Sequence, residues 1–135
     1  MSNLKWRYTR GLKDINCFNS IKNKYKIDAS EALKTCILSF NGGRPDKDAF
    51  DTEVTKEREM KRLLSFNRLD EENVYDILDV FKDDNVKLYP FAMDPAGNYI
   101  CEDVENKNII FYNHENKDKE YISKDFESFL DVLYE

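Results

Sequence analysis

Between two apolar, aromatic-rich runs, the tetrapeptide Asp94-Pro95-Ala96-Gly97 forces the chain to reverse direction. Asp suits the first position of a type I turn and proline presets φ at the second. Glycine at the fourth tolerates the left-handed conformation that forms a bulge in a short hairpin. The flanks, Lys87 to Met93 and Asn98 to Val104, therefore read as paired strands. Glu105-Asn106-Lys107-Asn108 reads as a second turn and Ile109 to Asn113 as a third strand, giving an antiparallel meander. Ser123 is predicted to cap a closing helix with Phe126, Phe129, Leu130 and Leu133 on one face. That face has to cover apolar surface, and the meander is the available partner.

Upstream, helical periodicity dominates. Asp14 to Tyr25 carries Ile15, Phe18, Ile21 or Lys22, and Tyr25 on an approximate stripe, with Asp14 as the expected N-cap. Asp28 and Glu31 have the spacing of a capping box, and Ala29, Leu33, Cys36, Ile37 and Phe40 then share a face. Asn41-Gly42-Gly43 stops that helix. Asp70 is expected to cap a third helix with Glu71 and Glu72 in its first turn, on a stripe of Val74, Ile77, Leu78 and Phe81. Residues 46–69 fit no period well. Ala49 to Val54 and Met60 to Phe66 each read as a strand, the second equally as a helix. The expected class is α+β, a central antiparallel meander packed by N-terminal and C-terminal helices, with residues 1–135 as a single domain.

Composition narrows the function classes. The chain is 41% hydrophobic and 36% charged, ordinary for a soluble globular protein. It has no run of eighteen apolar residues and its first ten lack a signal-like apolar core, so a cytoplasmic protein with no membrane partner is expected. Cys17, Cys36 and Cys101 are far apart and set among hydrophobics, which fits reduced, partly buried thiols and not zinc ligands. Charge is segregated. Residues 1–26 carry seven Lys/Arg and one Asp, while residues 70–135 carry six Lys and eighteen Asp/Glu, a net of −12. An acidic field of that kind repels nucleic acid and attracts basic partners, with plain solubility as the alternative.

Candidate sites resolve mostly into structure. His114 is the sole histidine, with no second ligand or nucleophile motif beside it, so a polar residue at a strand end is favoured over a catalyst. Asn41-Gly42-Gly43-Arg44-Pro45 lacks phosphate-loop spacing and lies at a helix C-terminus, where the dipole opposes an anion. Asp94, Glu102, Asp103 and Glu105 cluster near the hairpins and read as an acidic rim or a partner surface. Trp6, Arg7, Tyr8 and Arg10 read as an arm anchored on the core. No catalytic residue, metal ligand or cofactor is expected.

Four segments carry a family resemblance. Phe40 to Pro45 ends a helix in Asn-Gly-Gly before a proline. Pro90 to Cys101 contains Asp94, Pro95, Gly97 and Asn98 around the tight turn. Ile110 to Glu115 ends in His-Glu, and Ser123 to Leu130 opens the last helix. In this order they resemble the SUKH superfamily, the Smi/Knr cell-wall-assembly-regulator-like family, across about residues 13–135. That resemblance implies the α+β fold above and, for bacterial members, a non-enzymatic immunity protein that binds and blocks a cognate polymorphic toxin. Many such toxins are basic nucleases. The expected contact residues are Asp94, Tyr99, Glu102, Asp103, Tyr112 and His114, the acids for charge pairing and the aromatics for anchoring. Asn41, Gly42, Gly43, Pro45, Asp94, Pro95, Gly97 and Asn98 are expected to be structural. A cytosolic scaffold or signalling regulator is the second reading, and a small His- or metal-dependent enzyme the third.

Overall fold

A computed structural model of the chain describes residues 4–135. The Asp94 turn forms as its residues demand: Gly97 takes φ 85° and the Asp94 carboxylate accepts from the backbone N–H of Ala96 (3.0 Å) and Asn98 (2.7 Å). It joins β6 (Leu88–Met93) to β7 (Tyr99–Asp103), followed by β8 (Ile109–Tyr112) and β9 (Lys119–Ser123). With β5 (Arg62–Leu63) these make one antiparallel sheet in the order β5-β6-β7-β8-β9. The register shifts between Pro90 and Ala92, a bulge that accommodates a proline with no N–H to give the ladder. Two ribbons of two-residue strands complete the β structure: β1 (Trp6–Arg7) with β2 (Arg44–Pro45), and β3 (Ala49–Phe50) with β4 (Arg58–Glu59).

Side chains alternate across the sheet, so each strand serves two faces. Phe91, Ile100 and Phe111 point to one face, where α4 (Phe126–Val132) closes over them. Phe91 meets Phe126 edge-on at 5.3 Å and Phe129 at 5.8 Å, and Phe50 bridges Phe129 and Phe111. α2 (Glu31–Phe40) lies beside α4. On the opposite face, α3 (Val74–Asp83) buries Val74, Ile77, Leu78 and Phe81. Phe81 stands edge-on against Tyr99 (5.9 Å) and Tyr112 (5.1 Å). α1 (Cys17–Tyr25) packs Phe18 against Phe66, which in turn stacks on Tyr89. All three cysteines are free and buried, and burial pushes the thiols of Cys17 and Cys36 up to about 11 and about 12. No described helix is long and apolar enough to cross a membrane.

Four expected boundaries move, for one shared reason: the acid or hydroxyl named as a cap is engaged elsewhere. Asp14 accepts from the N–H of Asn16 in a local turn, so α1 starts at Cys17 and Ile15 is left 74% exposed. Ser30, not Asp28, caps α2 by accepting from Leu33, while Asp28 pairs with Lys34 at 3.0 Å. Asn73, not Asp70, caps α3. Asp70 accepts instead from Ser65 Oγ and Asn67, bonds that hold its carboxyl below the usual range, and Glu72 sits at φ 56° outside the helix. Ser123 ends β9, and Asp125 caps α4 through the N–H of Ser128.

The sheet also has a strand, β9, that the sequence reading omits. Both of its edges are occupied. The N–H of Glu53 donates to the carbonyl of Tyr121 alongside β9, and Arg58 clamps Glu120 with two nitrogens (3.1 and 3.0 Å) while lying 3.9 Å over Phe111. Beside β5, the N–H of Leu63 donates to Gly43. Residues 46–69 thus form mainly short strands and loops, with Ala49 to Val54 and Met60 to Phe66 each contributing only two strand residues.

Candidate functional site

The Asn-Gly-Gly segment is a junction. Asn41 is buried, accepts from the N–H of Phe66 (2.7 Å), and donates to the carbonyl of Arg10 and to Ser65 Oγ. Gly42 takes φ 71°, and its carbonyl accepts from Nε and Nη2 of the buried Arg62. A Cβ at Gly43 would lie 2.8 Å from the carbonyl oxygen of Phe40 and 3.2 Å from the Trp6 ring. Pro45 pairs with Trp6 across β1 and β2. These residues tie the N-terminal arm, the end of α2 and strand β5 together.

At the hairpin, a polar chain runs outward from the core. The buried Asp94 accepts from the Asn98 amide (3.0 Å). Asn98 Oδ1 accepts from the backbone N–H of His114 (3.1 Å) and faces His114 Nδ1 at 2.8 Å. Since Asn98 Oδ1 can only accept, Nδ1 carries the hydrogen and the neutral ring presents Nε2 as an acceptor. His114 is thereby fixed in orientation by the turn beneath it.

His114 stands at one end of a groove of about 470 Å³ between α3 and the open face of the sheet. The register places Tyr99 opposite Tyr112, and these two rings with Met93 and Leu64 make the floor. Ile77 and Phe81 form the inner wall. The outer lip runs from Asp76 through Val80 on α3 to Asp84, the residue that ends the helix, spaced four residues apart along one side. Val80 is 54% exposed. Tyr112 is only 4% exposed, yet neither its hydroxyl nor that of Tyr99 has a hydrogen-bond partner among the described residues. Burial raises both hydroxyls; Asp84 adds to it at Tyr112, and at Tyr99 Cys101 and Asp94 add more than Asp76 does. Each phenol therefore lies within the field of one end of the acidic lip.

Glu72, also on the rim, is already engaged. Burial pushes its carboxyl up, but the bond from Lys61 (2.6 Å) and the charges of Lys61 and Arg62 outweigh this and hold it below the usual range. Asp84 has only the exposed Lys117 at 3.8 Å, and Asp76 has no cation partner among the described residues.

The model of the SMI1 / KNR4 family (SUKH-1) matches residues 15–132. The chain belongs to the SMI1 / KNR4 family. A search of curated proteins returns no match.

Within this SMI1 / KNR4 chain, the structure gathers three of the six expected contact residues, Tyr99, Tyr112 and His114, in the groove. The other three lie elsewhere or inside. Asp94 is buried beneath the turn. Glu102 is not the exposed acid expected: it is fully buried, and its two oxygens accept from the N–H (2.8 Å) and hydroxyl (2.7 Å) of Ser30 at the start of α2. Burial raises its carboxyl, with the Ser30 bonds opposing. The register explains its place, since Glu102 pairs with Ile109 on the α4 face. Asp103 is half-buried at the far hairpin, where it accepts from the N–H of Glu105. The sequence reading missed Asp76, Val80 and Asp84. The available signal was Val80, an apolar residue interrupting the charged face of α3.

Proposed function

We propose that this SMI1 / KNR4 family protein is a non-enzymatic immunity protein that binds and neutralises a cognate toxin domain in the cytoplasm of the cell producing it. The observation that carries the proposal is the family match across residues 15–132. Two features support binding over catalysis. His114 is held by a turn residue and faces no nucleophile, and its nearest carboxylate, Glu115, is exposed at 4.0 Å. The acidic half of the chain suits a basic partner, because complementary charge speeds and orients association. Tyr99, Tyr112, His114 and Asp103 are the contact residues of this reading, while Asp94 and Glu102 act from behind by fixing the turn and the start of α2.

Co-expression with the toxin encoded beside this chain's gene tests it. Restored growth and a complex that survives co-purification are expected. Continued toxicity with no complex would leave the scaffold reading in its place.

A further inference from the structure

We infer that the groove between α3 and the sheet receives an extended segment of a basic protein partner in which two arginines flank one apolar side chain. The identity of the partner as a toxin rests on the proposed function above; the fit of the segment rests on the groove.

The lip dictates the pattern. Asp76 and Asp84 are eight residues apart on one ridge, about 12 Å along the helix axis, with Val80 midway. In an extended segment, residues i and i+4 lie on the same side about 13 Å apart, and residue i+2 points the same way between them. Basic side chains at i and i+4 thus meet the two carboxylates while the apolar side chain at i+2 enters over Val80, Ile77 and Met93.

The charges favour a cation at both ends. Asp76 has no cation of its own among the described residues. The Asp84–Lys117 pair is exposed and 3.8 Å long, the kind of ion pair that contributes little and is readily exchanged. Lys61 and Arg62 are both committed to Glu72.

The floor supplies the second observation. Tyr112 is more than nine-tenths buried and lines the groove with a hydroxyl that no described residue satisfies. That hydroxyl opens into the groove, where an arginine can donate to it. The aromatic rings also suit a planar guanidinium better than a compact ammonium.

The test is a titration of isotope-labelled protein with acetyl-Arg-Ser-Leu-Ser-Arg-amide, followed by backbone amide shifts. Saturable shifts are expected along residues 73–84 and at Tyr99, Tyr112 and His114. Val80→Lys, at an exposed helical position that leaves the fold intact by thermal melt, is expected to weaken binding at least roughly tenfold, and Asp76→Asn to weaken it several-fold. Equal binding of the peptide with glutamate in place of arginine would overturn the inference. So would equal binding with serine in those places, which marks an apolar slot only. Shifts on the β1–β2 ribbon, or none up to about 5 mM peptide, overturn it as well.

Growth rescue separates the two claims. If the wild type and Val80→Lys rescue equally, the groove is not the contact and the immunity reading stands. If the wild type fails to rescue, the immunity reading falls, and the peptide titration alone judges the groove.

Discussion

The two faces of one sheet are finished differently. Toward α4, phenylalanines from the strands, the β3–β4 ribbon and the helix itself interlock, and every ring is fully or almost fully buried. Toward α3, a single phenylalanine, Phe81, rests on two tyrosines and leaves a groove beside them. The same strands supply both faces, and the chemistry of the alternating residues separates them. Phenylalanines meet where the fold closes under α4, and Tyr99 and Tyr112 line the side that stays open, while Tyr89 is fully buried. One face holds the molecule together, and the other is available for contact.

Substitutions that break this contrast should differ widely in size. Phe129→Ala removes a fully buried ring from the closed face and is expected to lower unfolding free energy by about 3–5 kcal/mol in urea melts. A loss below about 1 kcal/mol would mean that the α4 face is not the main source of stability.

Asn41→Ala is next. It removes three hydrogen bonds at the junction and leaves the N–H of Phe66 without its acceptor, for an expected loss of about 2–3 kcal/mol.

Glu102→Gln probes the polar group inside the closed face. The folded carboxyl is raised above the ordinary glutamate value of 4.5, so the native state keeps a proton that the unfolded chain has released. Stability from this group is therefore full below that value and falls as pH rises through the folded one. Urea midpoints of wild type relative to Glu102→Gln should decline as pH rises above the ordinary glutamate value of 4.5. Asp70, Glu72 and Glu120, whose values are lowered, lose their contributions as pH falls, but they do so in both proteins and cancel. A flat difference would show that Glu102 does not titrate differently on folding.

The smallest effect belongs to the open face. Tyr112→Phe deletes a hydroxyl with no protein partner, so stability should change by less than about 0.5 kcal/mol. A larger loss would mean that the hydroxyl is bonded within the fold after all.

The closed face was more legible in sequence than the open one. Turn chemistry located the Asp94 hairpin, and the helical stripe located α3, because both signals depend on neighbours a few residues apart. β9 escaped because Lys119 to Ser123 reads as charged surface. It is a strand because it pairs with the preceding strand, Ile109 to Tyr112, on one side and meets the 51–58 segment, distant in sequence, on the other. Residues 46–69 were opaque for the same reason, as their two-residue strands are held by contacts such as Arg58 with Glu120. Tyr99, Tyr112 and His114 could be named from the strands, but the ridge opposite them looked like ordinary solvated helix. Glu102 was misplaced because an acid beside a turn was read as rim, when the pleat turns it inward.

The occupied outer strands have a consequence for how this protein can be recognised. Glu53 bonds to Tyr121 beside β9 and Leu63 of β5 bonds to Gly43, so each margin already has backbone groups claimed from within the chain. Contacts of this kind hinder a partner's strand from adding to the sheet and two copies from zipping together edge to edge. Specificity must then be written in side chains, where single substitutions can change it while the backbone scaffold stays the same.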